Sequence, residues 1–315
     1  MFKNKTLFII LIVLIVLFFL WQKNTSSKSV STLENKHSIP LEEIVSVLPQ
    51  DGIPSINQPK FISQDKANSF LKDNEPGIAL SLNDIKRFYP FQILVWHEIV
   101  NDVIKGKRVL VTYCPLCLSG IVFDPQVGSE SVEFGTSGKL WNSNLLMYDR
   151  KTKSLWSQIL GEAVVGEMTG AKLTILSSDI IKYGDFKKLY PGGEVLSRDT
   201  GAVRTYGVDP YGDYYFKPDI YFPVNKKDGR LDTKALILGI VVNNEAKAYD
   251  LEAVRKHNEV ADSFAGKSFV IRLEKDSDTV RIYEKQTDGS LNRINPFFAY
   301  WFSWVAAHPE TKLYK

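Results

Sequence analysis

Cysteine is scarce in this sequence: the 315 residues contain two, Cys114 and Cys117, in the stretch Cys-Pro-Leu-Cys. A zinc site made of two C-x-x-C pairs is excluded, so further metal ligands must come from elsewhere in the chain. Covalent haem attachment is excluded as well, because Leu118 stands where the C-x-x-C-H motif requires histidine. No cysteine follows the N-terminal apolar run, which excludes a lipid-anchored lipoprotein.

The sequence also lacks a strong net charge and the motifs of several enzyme classes. Its 39 basic and 36 acidic residues give a net charge of +3, and no basic stripe alternates with aromatic residues. We therefore predict no nucleic-acid partner. The G-x-S-x-G, H-E-x-x-H and Walker motifs are missing, so we predict no nucleotide cofactor. Whether the protein is an enzyme stays open.

A single long apolar run lies near the N-terminus, at residues 7–21, after Lys3 and Lys5. A basic flank before such a run is typical of a signal sequence. We predict that residues 1–21 form an uncleaved anchor in the cell membrane, with the remaining chain outside the cytoplasm. A cleaved signal peptide and a secreted protein are the alternative. Residues 22–38 are polar and rich in Ser and Thr, which predicts a flexible tether before a domain at residues 39–315.

An internal repeat is present in that domain. Residues 83–113 align without a gap to residues 243–273, at an offset of 160. The matches include Tyr89 with Tyr249, His97 with His257, and Asp102 with Asp262. This predicts two related units, about 77–196 and 237–314, joined by a linker at residues 197–236.

The pattern within each unit predicts an α+β fold. The spacing of Ile93, His97, Val100 and Ile104 is helical, and the apolar, β-branched run that follows is typical of a strand. Each unit then reads as helix, strand, hairpins and helix, and the two pack as one compact, β-rich body. In the predicted helix, His97 and Asn101 lie one turn apart.

The two cysteines fall where the units differ. Much of the extra length of the first unit lies between Tyr113 and about Asn142, whereas the second unit has a short charged turn there. A segment that one copy lacks is not needed for the common fold, which indicates a functional role. A disulfide across so short a loop would also restrict the unfolded chain little.

Three kinds of site are compatible with these residues. Cys114 and Cys117 with His97 and Glu98 would suit a transition metal, zinc or copper, and this is our leading hypothesis. A thiol–disulfide site would use Cys114 and Cys117 alone. A non-catalytic interaction surface is the third possibility, because the linker carries a group of tyrosines, Tyr206, Tyr211, Tyr214, Tyr215 and Tyr221.

Several long motifs resemble one known family. They are YPFQILVWHEIVND, VTYCPLCLSGIVFD, FGTSGKLWNSNLLMYDR, SLWSQILGEAVVGEMTG and DPYGDYY. Together they resemble the domain-of-unknown-function family 3179, from about Ile39 to the C-terminus. The resemblance implies that Cys114, Cys117, His97, Glu98 and Asn101 belong to the signature of the family. It implies no activity, since none is assigned to the family.

Overall fold

The computed structural model describes residues 36–275 and 277–315, and strands dominate it. The described residues are 43% strand and 14% helix, with five small sheets in a β-propeller arrangement. The prediction of an α+β fold made of helix–strand–hairpin–helix units is therefore wrong. The predicted anchor at residues 1–21, with its apolar run 7–21, and most of the predicted tether lie outside the described residues.

The strands in the described ranges are numbered in chain order: β1 (Ile44–Ser46), β2 (Phe61–Ser63), β3 (Pro76–Leu82), β4 (Ile85–Pro90), β5 (Ile99–Ile104), β6 (Lys107–Cys114), β7 (Ser119–Asp124), β8 (Gln126–Val127), β9 (Glu130–Ser131), β10 (Phe134–Trp141), β11 (Asn144–Asp149), β12 (Leu155–Ser157), β13 (Glu162–Val165), β14 (Thr174–Ile175), β15 (Ser178–Lys182), β16 (Glu194–Leu196), β17 (Leu236–Val242), β18 (Glu245–Asp250), β19 (Glu259–Phe264), β20 (Lys267–Leu273), β21 (Val280–Lys285), β22 (Leu291–Ile294), β23 (Phe297–Tyr300) and β24 (Lys312–Tyr314).

These strands form five sheets, which we number I to V. Sheet I has the order β1-β10-β11-β12-β13, and sheet II the order β14-β7-β6-β5. Sheet III is β15-β3-β4-β16-β2, sheet IV is β23-β17-β18-β24, and sheet V is β19-β20-β21-β22. β8 and β9 form a separate ribbon. Neighbouring strands are antiparallel, except that β16 pairs parallel to β4 and β24 parallel to β18.

The helices of the described residues are short: α1 (Gln64–Ala67), α2 (Phe91–Leu94), α3 (Tyr183–Leu189), α4 (Leu251–His257) and α5 (Trp301–Ala307), with 3-10 turns at Leu41–Glu43, Pro115–Cys117 and Tyr214–Phe216. The longest have seven residues. Within residues 36–275 and 277–315, no helix is long and apolar enough to cross a membrane. The predicted transmembrane helix therefore has no counterpart in this part of the chain.

Sheets III and II follow the same plan as sheets IV and V. In sheets III and IV a central hairpin, β3-β4 or β17-β18, has an antiparallel strand on one side and a parallel strand on the other. The chain between those outer strands forms α3 or α5. In sheets II and V a meander follows, β5-β6-β7 or β19-β20-β21. The boundaries of the two units stay predictions.

The helix expected at residues 91–104 stops after one turn. α2 ends at Leu94, and Glu98 has a left-handed backbone with φ 58°, which a right-handed helix does not accept. Ile99 then begins β5, a strand rich in β-branched residues that favour extended backbone. His97 and Asn101 therefore do not share a helical face.

The extra chain of the first unit begins after the cysteines. In the first unit, the six strands β8 to β13 lie between β7 and β14. In the second unit, β22 follows β21 directly. β10 to β13, with β1 added, make sheet I. Cys114 and Cys117 lie before this insertion, in the β6–β7 turn, and the second unit has the equivalent β20–β21 turn. The expectation that the insertion carries the cysteines is corrected accordingly.

The largest buried cluster of apolar side chains surrounds the cysteines. It joins sheets I, II and IV and includes Cys114, Cys117, Trp156, Trp301 and Trp304. Separate clusters lie under sheets III and V. The two thiols are thus in the main core, not at its edge.

Candidate functional site

The β6–β7 hairpin places both cysteines at one end of sheet II. Cys114 is the last residue of β6, and Pro115 begins the 3-10 turn that ends at Cys117. Proline suits this first position, because its fixed φ matches the turn. Leu118 then takes a left-handed φ of 47°, and the chain returns as β7. Both cysteines are free and buried.

The tip of the neighbouring β10–β11 hairpin covers the sulfurs. The Cys117 Sγ lies 3.1 Å from the Ser143 carbonyl oxygen, and the Cys114 Sγ lies 4.0 Å from the same oxygen. The Asn144 Nδ2 donates to the Cys117 Sγ at 3.5 Å. The two turn residues, Asn142 and Ser143, both have positive φ, at 51° and 62°. This backbone suits a tight hairpin, but it is strained for Ser143.

A buried polar network holds this tip against sheet II. Gln158 Oε1 accepts hydrogen bonds from Ser119 Oγ at 2.8 Å and from Asn144 Nδ2 at 2.9 Å. Gln158 Nε2 donates to Thr112 Oγ1 at 3.2 Å. All four side chains are buried, so each bond satisfies a group that has lost contact with water. The network fixes the amide of Asn144 next to Cys117.

The surroundings move the pKa values of the two thiols in opposite directions. Burial raises the pKa of the Cys114 thiol, and its hydrogen bond to Cys117 raises it further. Burial acts in the same direction on Cys117, but its interaction with the Cys114 thiol and the hydrogen bond from the Asn144 amide at 3.5 Å lower the pKa of the Cys117 thiol. The Ser303 hydroxyl, which acts in the same direction, is buried and has no hydrogen-bond partner in the described ranges. Cys117 is therefore the thiol that ionises first.

Glu98 is a third ionisable side chain near the thiols. Its carboxyl group is buried, and burial raises its pKa well above the usual value of 4.5, with the nearby Cys114 raising it further. The Glu98 backbone carbonyl accepts the Tyr113 N–H at 2.7 Å, which joins the start of β5 to β6. A cavity of about 60 Å³ adjoins Glu98, Leu116 and Tyr211. Its volume is sufficient for one or a few water molecules beside the carboxyl group.

His97 is held away from the thiols. Its Nδ1 lies 2.7 Å from the Pro54 carbonyl oxygen, and its Nε2 lies 2.6 Å from the Tyr206 hydroxyl. A carbonyl accepts only, so Nδ1 carries the proton and Nε2 accepts from Tyr206. Burial lowers the pKa of His97, which keeps the ring neutral. His97 thus connects the linker, through Tyr206, to the residues that precede β5 of sheet II.

The linker at residues 197–236 covers the cysteine turn. Tyr214 is fully buried, and its hydroxyl donates to the Leu116 carbonyl oxygen at 2.8 Å. Lys234 Nζ lies 3.3 Å from the centre of the Tyr214 ring, and donates to the carbonyl oxygens of Tyr214 and Lys217. The linker tyrosines therefore pack on the site and close it from solvent.

The arrangement brings together three of the four residues predicted for a metal site, but not as a ligand set. Cys114, Cys117 and Glu98 are neighbours, whereas both ring nitrogens of His97 are engaged elsewhere. Across the described part of the chain, no group of three or more His, Cys, Asp or Glu side chains is placed to hold a metal ion. Metal binding at Cys114 and Cys117 therefore has no support in the described residues, and the zinc or copper cofactor stays a prediction.

Sequence reasoning missed Ser143, Asn144, Gln158 and Ser303. The pair Asn142-Ser143 between two apolar runs is the signal of a two-residue hairpin, and it could have located the tip. No pattern in the sequence indicates that this tip lies on the cysteines, because the contact joins residues that are 26 positions apart in different sheets.

The chain was compared with known proteins. The profile of the family described as a protein of unknown function, DUF3179, matches residues 50–311. No curated protein matches the chain, and neither does any solved structure. The match covers most of the domain, including the buried cysteine pair and Glu98. The chain is therefore a member of the DUF3179 family.

Proposed function

We propose that this protein is a thiol–disulfide redox protein whose working pair is Cys114 and Cys117. One observation carries the proposal: both buried sulfurs lie at the Ser143 carbonyl oxygen, at 3.1 Å for Cys117 and 4.0 Å for Cys114, and the Asn144 amide donates to the Cys117 sulfur. A purely structural pair of cysteines has no need of such an asymmetry. Redox-active pairs require one thiol that ionises readily and one that resolves.

Backbone strain at the same place supports the proposal. Glu98, Leu118 and Ser143 are non-glycine residues with positive φ, and all three adjoin the thiols. Such residues cost free energy and persist where surrounding structure holds them, often at functional sites. Here they place the carboxyl group, the turn and the Ser143 carbonyl oxygen around the sulfurs.

The reaction is exchange with a small external disulfide. The Cys117 thiolate attacks one sulfur of this disulfide, forms a mixed disulfide, and releases the other sulfur as a thiolate. Cys114 then loses its proton and attacks the Cys117 sulfur, which releases the second thiolate. One dithiol and one small disulfide thus become one protein disulfide and two small thiols after protonation.

Glu98 is the group next to Cys114 that can take its proton. Because its pKa is raised, the carboxyl group is protonated over a wider pH range than an exposed glutamate. When it is ionised, it can accept the proton that Cys114 must lose before the second attack. An extracytoplasmic position, as the N-terminal sequence predicts, would keep the pair in an oxidising compartment.

The test is a redox titration of the full-length chain in glutathione buffers. After acid quenching and alkylation, mass spectrometry measures the fraction of Cys114–Cys117 disulfide at each potential. We expect a two-electron transition above about −300 mV, the region of labile rather than structural disulfides. The Cys114→Ser and Cys117→Ser variants are matched controls, since neither can form the intramolecular bond.

Three results would contradict the proposal. The pair could stay reduced at every potential, stay oxidised at every potential, or form mixed disulfides equally well through either cysteine. The last result would show that the two thiols are not differentiated. A transition at the expected potential, with glutathione trapped on Cys117 in the Cys114→Ser variant, would support it.

A further inference from the structure

A second cavity lies beside the cysteine turn, with Tyr113 and Leu118 among its lining residues. Its volume is about 360 Å³, within the range of small-molecule sites. Five aromatic rings line it, those of Phe91, Tyr113, Tyr215, Phe216 and Tyr300. Leu118, Val95 and Val208 complete its apolar wall. The redox proposal makes no use of this cavity.

The charged residues of the cavity are all acidic. Glu75 and Asp209 line it, and no lysine or arginine is among its lining residues in the described chain. Neither carboxylate forms an ion pair within residues 36–275 and 277–315. Glu75 accepts from the Lys72 N–H and the Gln92 amide, and Asp209 accepts from the Tyr211 N–H at 2.8 Å. Neither carboxylate is paired with a cation within the described residues; Glu75 is half-buried and Asp209 is exposed.

We propose that this cavity binds an organic ammonium cation, with the positive group among the aromatic rings at the Asp209 end. Aromatic ring faces attract cations through their quadrupole, and methylated ammonium groups fit such a cage because they are weakly hydrated. Carboxylates near the cage add direct charge attraction. A neutral ligand would use the apolar wall but would leave both carboxylates unbalanced, and an anion would be repelled.

The mouth of the cavity has the exposed apolar surface that a ligand would cover. Phe216 is 86% exposed and Val208 is 58% exposed, although both line the cavity. A large ring left in water at the mouth of an apolar cavity is costly, and a bound ligand would remove that cost. Both residues belong to the linker, on the same segment as Asp209.

One basic side chain is near the rim. Arg198 donates to Gln92 Oε1 at 3.2 Å through its Nε, and its guanidinium lies over the Phe70 ring at 4.5 Å. Arg198 is outside the cavity lining and is occupied by these contacts. Its guanidinium also lies against Gly207 of the lining, so it opposes a cation at the part of the rim formed by Gln92 and Gly207. The ammonium group is therefore expected near Tyr113 and Tyr215, with Asp209 as its carboxylate.

Tyr113, Tyr215 and Asp209 interact electrostatically. Burial raises the pKa of Tyr215, and the Asp209 carboxylate raises it further. The pKa of Tyr113 is also raised, chiefly by burial and further by Tyr215 and Asp209. All three residues line the cavity, so two aromatic rings and one carboxylate are available to a bound cation there.

The test is calorimetric titration of the full-length chain with choline as the probe. Its matched control is the neutral analogue in which a tert-butyl group replaces the trimethylammonium group, so that shape is kept and charge is removed. We expect choline to bind at least about tenfold more tightly than the analogue, which corresponds to about 1.4 kcal/mol. Asp209→Asn should lower choline affinity by about threefold to tenfold and leave the analogue unchanged.

Val208→Trp fills the mouth from an exposed position, so the variant should fold and lose choline binding. Val241→Trp is the matched control, since Val241 is an exposed residue of β17 outside the cavity. Equal affinity for choline and the analogue would overturn the proposal, as would no binding of choline by the parent protein. Binding that survives Val208→Trp would also overturn it, because the site would then lie elsewhere.

Discussion

Glu98 combines two features that are individually uncommon. Its backbone is left-handed with φ 58°, and its side chain is a buried carboxyl group with a raised pKa. The second unit has Asn258 at the equivalent position, also with positive φ, at 61°. Asparagine tolerates this backbone better than glutamate does. The first unit therefore has a residue that is less compatible with the left-handed backbone, which fits a role for the carboxyl group beside Cys114.

The raised pKa of Glu98 predicts how Glu98→Gln changes stability with pH. The folded state holds the proton more tightly than the unfolded state, so Glu98 costs stability as the pH rises above the unfolded value of about 4.5. Below that pH both states are protonated and the cost is absent. Glutamine mimics the protonated form. In urea denaturation, the free energy of unfolding of Glu98→Gln should therefore rise relative to that of the parent between pH 4 and 8, by about 1.4 kcal/mol per unit of pKa shift.

The control for this prediction is Glu42→Gln, at an exposed position of the 3-10 turn Leu41–Glu43. Its stability relative to the parent should not change over the same pH range. A constant difference between Glu98→Gln and the parent from pH 4 to pH 8 would show that the carboxyl group is not buried as described.

At the scale of elements, the linker decides access to the thiols. Residues 197–236 contain one short 3-10 turn in place of strands or long helices, and they pack on the cysteine turn through Tyr214. A second attachment is Tyr206, whose hydroxyl donates to His97. Segments held by few contacts open more often than sheets do. We expect small thiol reagents to reach Cys117 through opening of this segment.

Tyr214→Phe should therefore speed alkylation of Cys117 by iodoacetamide. The change removes the hydrogen bond to the Leu116 carbonyl oxygen and keeps the ring, at a cost of about 0.5–1.5 kcal/mol in closing the segment. The rate, followed by mass spectrometry, should rise by about twofold to tenfold. Tyr283→Phe is the control, since it removes a phenol–carboxylate bond to Glu274 at the distant sheet V. An equal effect of both variants would contradict opening of the linker.

At the scale of the whole molecule, ion pairs join the two units. Asp179 in β15 of sheet III is buried and contacts Arg281 of β21 at 2.6 Å and Arg293 of β22 at 2.5 Å, both in sheet V. These bonds link residues more than 100 positions apart. They hold sheet III against sheet V where the apolar clusters of the two sheets are separate.

Removing the charge of Asp179 should therefore destabilise the protein strongly. Asp179→Asn keeps the volume but leaves two partly buried arginines without their shared carboxylate, at an expected cost of about 3–5 kcal/mol in the free energy of unfolding. Asp84→Asn is the control: its pair with Lys105 spans 3.9 Å and is exposed, so we expect less than about 1 kcal/mol. Urea denaturation measures both, and similar small effects would show that sheet packing alone joins the units.

The repeat shows how far sequence reasoning reached. Tyr89 donates to Asp102 at 2.6 Å and Tyr249 to Asp262 at 2.7 Å, so two of the matched pairs make the same bond in each unit. Asn83 and Asn243, like Gly106 and Gly266, also match at the offset of 160, and all four lie in tight turns with positive φ. The predicted helix at residues 91–104 failed because apolar residues with helical spacing also suit a turn followed by a buried strand, and periodicity does not separate these.

The sequence by itself determined which residues are chemically special: a lone cysteine pair in a short loop, a candidate carboxyl group at Glu98, and a tyrosine-rich linker. Local patterns carry this information, because turns and short strands depend on neighbouring residues. The tertiary structure alone decided that the β10–β11 tip covers the sulfurs, that His97 binds the linker, and that five rings and two carboxylates share one cavity. These contacts join distant segments, and their pairing depends on how whole sheets pack, which no local pattern encodes.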